Sequence, residues 1–423
     1  MSLSPETPYT ISIPDSELSI LQQKLALTRL PDEIEDAGWD YGVPLSDARR
    51  LLARWKDGFD WRKVEKELNE EMPQFTRDIE VEGFGVLNVH YAHKKSSKGK
   101  DAIPLLFVHG WPGSFIEARK IIPLLTEPEP SLNVPSFHVV ALSLPGFGFS
   151  DAPKKKGFIM FQYAEVCNKL MLSLGYDRYG WFFHPLHFYP VLLLVLTEGL
   201  ILHMGFVGIS VTQAGDWGFY ITRTIAQFYG GKHCIAWHTN YPDAGGNPPT
   251  SPENPDTART HWFLNKSFGY NVEQSTQPQT IGYSQADSPI GLLAWIYEKL
   301  FQWSDHANYI WSDDEILTWI SIYWFSKSGP AASARIYYEV QRSGDREATR
   351  VCPRNSRPNV PLGWSKFPRD ILLYPLELVR TIGNLTFYNC EHKEGGHFPA
   401  TEVPEVLVKD LRVFFGKVVA EEA

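Results

Sequence analysis

The chain has 423 residues, 43% hydrophobic and 14% aromatic, enough for one large α/β domain with additions around a well-filled core. A net charge of −9, with Lys154-Lys155-Lys156 as the longest basic run, excludes a nucleic-acid partner of the ordinary basic kind. Cys167, Cys234, Cys352 and Cys390 are scattered without a CxxC pair; they read as reduced, buried thiols of an intracellular protein, not as a disulfide frame or zinc site. From the N-terminus, Met1-Ser2-Leu3-Ser4-Pro5-Glu6 offers no basic segment followed by an apolar stretch, so no signal peptide and a cytoplasmic location are expected. Residues 1–95 form a first unit. Asp15 or Ser16 can cap a helix through Leu18, Leu21, Leu25 and Leu30. Trp61 to Met72 follows as a charged amphipathic helix, and Asp78 to Tyr91 alternates with period two around Gly83-Phe84-Gly85, the signature of a β-hairpin.

Residues 96–244 change to the continuous apolar runs of buried parallel strands. Leu105 to Val108 runs into His109-Gly110-Trp111-Pro112-Gly113, and Phe137 to Leu142 runs into Ser143-Leu144-Pro145-Gly146-Phe147-Gly148-Phe149-Ser150. Strands ending in glycine-rich loops belong to the carboxyl edge of a mostly parallel, doubly wound α/β sheet. After a helix over Gln162–Leu174 comes Gly180–Ser210, an apolar stretch with one acidic residue, Glu198, and no Lys or Arg. Pro190–Val211 approaches the length of a membrane-spanning helix, but Thr197 and Glu198 sit within it and no basic flank orients it. Residues 245–350 open with the flexible Gly245-Gly246-Asn247-Pro248-Pro249 and continue as helices, clearest over Ile290–Trp303 and Asp313–Tyr323. In residues 351–423 the core resumes at Val360–Trp364, continues in strand Leu385–Tyr388 and closes with helix Pro404–Phe415.

The chemistry is placed in Thr212-Gln213-Ala214-Gly215-Asp216-Trp217-Gly218-Phe219-Tyr220. A strand-like run from Phe206 to Val211 leads in, and a helix-like run from Tyr220 to Tyr229 leads out. Ala214 and Gly218 flank Asp216 at two positions' distance, which suits a sharp strand-to-helix turn that exposes the central residue. A carboxylate there needs no activating base, since its reference pKa of about 4 leaves it ionised at pH 7. A plain Gly-Asp turn satisfies the same local pattern. Downstream, Glu394-Gly395-Gly396-His397-Phe398 follows the last strand, which gives the order nucleophile, acid, histidine. His397 suits a general base with a reference pKa of about 6.5. Asp370, after the preceding strand, is placed as its acidic partner.

Together, His109-Gly110-Trp111-Pro112-Gly113, Ala214-Gly215-Asp216-Trp217-Gly218 and Gly395-Gly396-His397-Phe398 resemble the epoxide hydrolases of the microsomal type, particularly their fungal branch, over nearly the whole chain. The resemblance implies an α/β-hydrolase fold with an N-terminal wrapping domain and a helical cap over residues 245–350. By position it makes Asp216 the nucleophile that forms an alkyl-enzyme ester, His397 the base that activates water, and Asp370 its orienting acid. It assigns the epoxide-binding tyrosines of the cap to Tyr270 and Tyr337. Tyr338 competes for the second role, and the family's Arg-x-Tyr-x-Glu spacing favours Tyr337. Backbone N–H groups of Trp217 and the Trp111 loop would form the oxyanion hole. The implied partners are a small apolar epoxide and water, without metal or organic cofactor; a homodimer is left open.

Two departures stand out. Ala214 replaces the usual first glycine of the nucleophile motif, though a small residue still fits the turn. Removing Gly180–Ser210 gives Tyr179-Val211-Thr212-Gln213-Ala214-Gly215-Asp216, which is how the family reads across this join. The segment therefore reads as a translated, retained intron: a Gly codon can hold a GT donor, and Ile209-Ser210-Val211 can encode a TTTCAG acceptor. Its presence in every cDNA would end that idea. Two alternatives remain beside the epoxide hydrolase: a haloalkane or fluoroacetate dehalogenase sharing the Asp/His/Asp set, and a product inactivated by the insertion. No GxSxG is present for a serine esterase.

Overall fold

Continuous apolar runs and one alternating hairpin assemble into a single sheet in a computed structural model that describes residues 5–128, 134–176, 210–245, 255–343 and 357–422. Its strands are β1 (Thr7–Tyr9), β2 (Gln74–Val81), β3 (Gly85–Lys94), β4 (Ile103–Val108), β5 (Phe137–Leu142), β6 (Ser210–Ala214), β7 (Cys234–Thr239), β8 (Pro361–Ser365) and β9 (Asn384–Asn389). They lie in the order β1-β2-β3-β5-β4-β6-β7-β8-β9. The pairs from β5 to β9 are all parallel, whereas β1, β2 and β3 join antiparallel. Every residue of β4 and β7 is buried, as expected of strands covered on both faces by crossover helices. The fold is that of the α/β-hydrolases. The hairpin pairs Tyr91 of β3 with Leu142 of β5, so the first unit and the core share one sheet.

Helices α1 (Asp15–Ala26), α2 (Leu45–Asp57) and α3 (Trp61–Glu71) complete the N-terminal unit. The first ends earlier than the leucine spacing suggested, and Leu27 is exposed. The second was not read from the sequence, although Ala48, Leu51 and Trp55, its buried residues, recur at helical spacing. Helices α4 (Ile121–Thr126), α5 (Met160–Ser173) and α6 (Asp216–Phe228) belong to the core. The cap consists of α7 (Pro255–Trp262), α8 (Gly269–Thr276), α9 (Pro278–Asp287), α10 (Pro289–Trp303), α11 (Asp313–Trp324) and α12 (Arg335–Arg342). Arg54 of α2 grips Asp314 of α11 through Nε and Nη2 at 2.8 and 2.9 Å, and Trp39 stacks on Phe301 of α10 at 4.1 Å. The N-terminal unit thus braces the cap as well as extending the sheet.

Of the apolar stretch Gly180–Ser210, residues 180–209 lie outside the described residues, as do Phe206–Ile209 of the expected entry strand and Cys352. Ser210 is the first residue of β6. Cys167 and Cys234 are buried, but Cys390 is exposed because it follows β9, the last strand of the sheet. Among the described residues no helix is long and apolar enough to cross a membrane.

Candidate active site

The turn between β6 and α6 is built by close approach. A Cβ on Gly218 would stand 2.1 Å from the Val108 carbonyl oxygen at the end of β4, so only glycine lets α6 start this near the sheet. Ala214, buried at the end of β6, adds the second small wall. Asp216 opens α6 with φ +50°, a left-handed conformation rare for a residue with a side chain. Its carboxylate stands at a helix N-terminus, which favours negative charge.

The loop after β4 supplies its first partner. Trp111 N–H donates to Asp216 Oδ1 at 2.7 Å. Trp217 N–H lies in the first turn of α6, where a helix provides no backbone acceptor. His109 holds the loop from behind. Its Nε2 accepts from Leu144 N–H at 3.2 Å, so its Nδ1–H donates to the Gly110 carbonyl at 2.9 Å. Burial pushes this imidazole down to about 4, which keeps that neutral tautomer.

Asp370, after β8, and His397, after β9, meet on the other side. His397 Nδ1–H donates to Asp370 Oδ1 at 2.7 Å, and Nε2 stands 3.5 Å from Asp216 Oδ2. Both side chains are almost fully enclosed, at 2% and 1% exposure. Burial disfavours the imidazolium, but the Asp370 and Asp216 carboxylates outweigh it and push His397 up to about 10. The chain around His397 is held by the cap and by a buried carboxylate. His397 N–H donates to the Trp303 carbonyl at 3.0 Å. Glu402 accepts from the N–H groups of Gly396 at 3.0 Å, Phe398 at 2.8 Å and Asp305 at 2.7 Å. Glu402 was not foreseen from the sequence. Its signal was an acidic residue in a short turn five positions after His397.

The cap closes the front of the site with α8 packed on α12. Tyr270 and Tyr337 meet there edge to face at 5.8 Å, with Trp111 stacked on Tyr270 at 5.1 Å and Trp217 edge-on to Tyr337 at 4.7 Å. Both tyrosines line one cavity with Asp216, Phe263, Leu372 and Val340. Tyr338 is less buried than Tyr337 and does not line that cavity. The Tyr337 hydroxyl is buried and stands within hydrogen-bonding influence of Tyr270 and Trp217, though among the described residues neither meets it in well-aligned geometry. Burial is the main reason both phenols stand well above the usual tyrosine range, with the Asp216 charge adding to it. All seven residues singled out from the sequence therefore converge on this site. Glu117 and Asn240, not foreseen, line the space behind Asp216.

The fold and this arrangement define an α/β-hydrolase carrying a carboxylate at the strand-to-helix turn, where the nucleophile elbow of this fold commonly has serine. A profile described as "Epoxide hydrolase N terminus" matches residues 6–118, and one described as "alpha/beta hydrolase fold" matches residues 103–182. Epoxide hydrolase 1 of Sus scrofa is 31% identical, over 97% of this chain and 88% of that one. The structure of Aspergillus niger epoxide hydrolase superposes with a TM-score of 0.78 at 32% identity, covering 99% of this chain and 98% of that one. The juvenile hormone epoxide hydrolase of Bombyx mori shares the fold at a TM-score of 0.82 and 24% identity, covering 99% and 96% of the two chains. The chain belongs to the epoxide hydrolases.

Proposed function

We propose that the protein opens an apolar epoxide through an ester on Asp216 and releases a vicinal diol by His397-assisted hydrolysis. The observation that carries this reading is the single cavity on which Asp216 faces Tyr270 and Tyr337 across aromatic and aliphatic walls. One Asp216 oxygen attacks a ring carbon and the carbon–oxygen bond breaks. A phenol gives its proton to the departing alkoxide, a role for which a group still protonated at pH 7 is needed. Trp111 N–H already holds Oδ1, and this oxygen becomes the ester carbonyl.

Ester formation removes the charge of Asp216. His397 then loses one of the two carboxylates that hold its proton, and that proton restores the phenol. Neutral His397 takes a proton from water as the water oxygen bonds to Cγ of Asp216. Trp111 and Trp217 N–H groups face the developing oxyanion. Collapse breaks the Cγ–O(alkyl) bond, and the alkoxide leaves with the proton from His397. The new carboxylic acid returns its own proton to His397, so the cycle consumes one epoxide and one water. Asp370 fixes the ring and balances its charge throughout.

Styrene oxide is a suitable first probe. The unmodified protein should produce phenylethanediol, Asp216→Asn should lower this at least about a thousandfold, and His397→Asn should accumulate an ester on the peptide carrying Asp216, read by mass spectrometry. A variant at His397 that turns over without any adduct would sink the two-step mechanism. Release of halide from a haloalkane, with no diol from any epoxide, would favour the dehalogenase chemistry instead.

A further inference from the structure

Asp216 separates two spaces. The front cavity holds the tyrosines, whereas the rear one is lined by Asp216, His397, Glu117, Asn240, Gln213 and Phe398 among others. The rear space measures about 10 Å³, close to the room of one water-sized sphere. Its polar lining converges from the loops after β4, β6, β7 and β9, with Gln213 from β6 itself. Glu117 follows the loop after β4 and folds back over it, so that a Cβ on Gly113 would lie 1.6 Å from Glu117 Oε1. Asn240 follows β7, and its Nδ2 would meet a Cβ on Gly215 at 2.7 Å. Asn240 Oδ1 already accepts from Gln213 Nε2 at 3.1 Å, while Nδ2 is buried with no hydrogen-bond partner among the described residues.

We propose that Glu117 and Asn240 hold the water that cleaves the Asp216 ester, as positioning residues acting beside His397. This assignment rests on the two-step reading above and deepens it. The water accepts a hydrogen bond from Asn240 Nδ2–H and gives one to a Glu117 carboxyl oxygen. Its other hydrogen passes to His397 Nε2 as its oxygen bonds to Cγ of Asp216, and the Cγ–O(alkyl) bond breaks in the collapse that follows. Water then approaches from behind the carboxyl while the alkyl group occupies the front, so neither displaces the other. Burial pushes the Glu117 carboxyl up to about 8, with His397 opposing and Asp216 adding to the shift. In that form it still offers a carbonyl oxygen and sets no second negative charge beside the nucleophile.

The test is a single-turnover experiment on the full chain with styrene oxide, following the ester by rapid quench and mass spectrometry. Glu117→Ala and Asn240→Ala should form the ester within about twofold of the unmodified rate and break it down about tenfold to a hundredfold more slowly, the scale of a misplaced reactant. Glu117→Gln keeps an acceptor oxygen and should recover most of the loss. Normal ester formation doubles as proof that each variant is folded. The proposal is overturned if breakdown is unchanged in Glu117→Ala. It is equally overturned if formation and breakdown fall together in both Glu117 variants, as a merely structural role would produce. An unmodified protein that makes diol without any ester would overturn the two-step reading and this assignment with it.

Discussion

His397 is held between two carboxylates, and that placement ties its protonation to stability and, under the proposed mechanism, to turnover. Burial opposes the imidazolium, yet Asp370 and Asp216 raise its folded pKa to about 10, against about 6.5 in an unfolded chain. A group whose pKa is raised on folding stabilises fully below the unfolded value, and that contribution is lost as pH rises through the folded value. The gap in thermal stability between the unmodified protein and His397→Asn should therefore be widest near pH 6 and shrink steadily toward pH 10. Differential scanning fluorimetry across that range measures it, and a gap that is flat or widens with pH would contradict the coupled triad. The same logic applies to turnover: in the proposed mechanism breakdown of the ester needs neutral His397, so its rate should rise with pH until the imidazole of the ester form is fully deprotonated. These are consequences of which charges surround one ring, and the sequence pattern alone did not contain them. What the sequence did contain was the local spacing: Asp216 between two small residues, and His397 after a strand and a Gly-Gly pair. Tyr337 was separable from Tyr338 only by a motif, because the two are neighbours on a helix and only the cap packing decides which one faces the cavity.

At the scale of elements, the loops that carry the candidate site are held in place by side chains whose partners lie far away in sequence. Glu402 joins three backbone N–H groups, two in the His397 loop and one at Asp305 beyond the end of α10. Burial lifts its carboxyl to about 7 despite those donors. Replacing it by alanine leaves buried donors without an acceptor, which costs at least about 2 kcal/mol. Glu402→Ala should thus lower the urea midpoint clearly and slow ester breakdown through a displaced His397, whereas Glu402→Gln should lose less of both. A Glu402→Ala protein as stable as the parent would show that the loop is held by the Trp303 carbonyl and its packing instead. Such contacts were illegible beforehand because they depend on strand order. The sequence suggests parallel strands with glycine-rich loops, but not that β4 lies between β5 and β6. It is this order that sets the loops after β4, β6 and β7 side by side and so brings Glu117, Asp216 and Asn240 around one space. Helix α2 was missed for a different reason: its three buried residues form a narrow stripe in a strongly polar segment, too weak a signal without the α11 surface it packs on.

Over the whole molecule, the question with the largest consequence concerns Gly180–Ser210. On its N-terminal side the core is closed through Tyr176, whose hydroxyl meets His93 Nε2 at 2.8 Å. On its C-terminal side Val211 of β6 pairs with Leu105 of β4 and Ala236 of β7, in the middle of the sheet. Among the described residues, the parts around Asp216 run as far as Tyr176 and resume with β6 at Ser210. Removing the segment would cost, among the described residues, the pairing of Ser210 with Cys234 of β7 and its two bonds to the His233 carbonyl, from N–H at 3.3 Å and Oγ at 2.6 Å. Tyr179 would then be joined directly to Val211, in the strand that leads into the Asp216 turn. A chain lacking 180–210 should therefore fold with its motifs in register and, by shedding a long apolar run, express more of its protein in soluble form. The comparison is direct: both chains are produced side by side, and soluble yield, thermal midpoint and diol formation from styrene oxide are measured. Activity confined to the shortened chain would mark the segment as foreign to the functional protein, in line with a retained intron. Equal activity in both would show that the sheet tolerates the insertion beside β6. Activity confined to the full-length chain would refute the intron reading, because β6 would then depend on residues that the shortened chain no longer has.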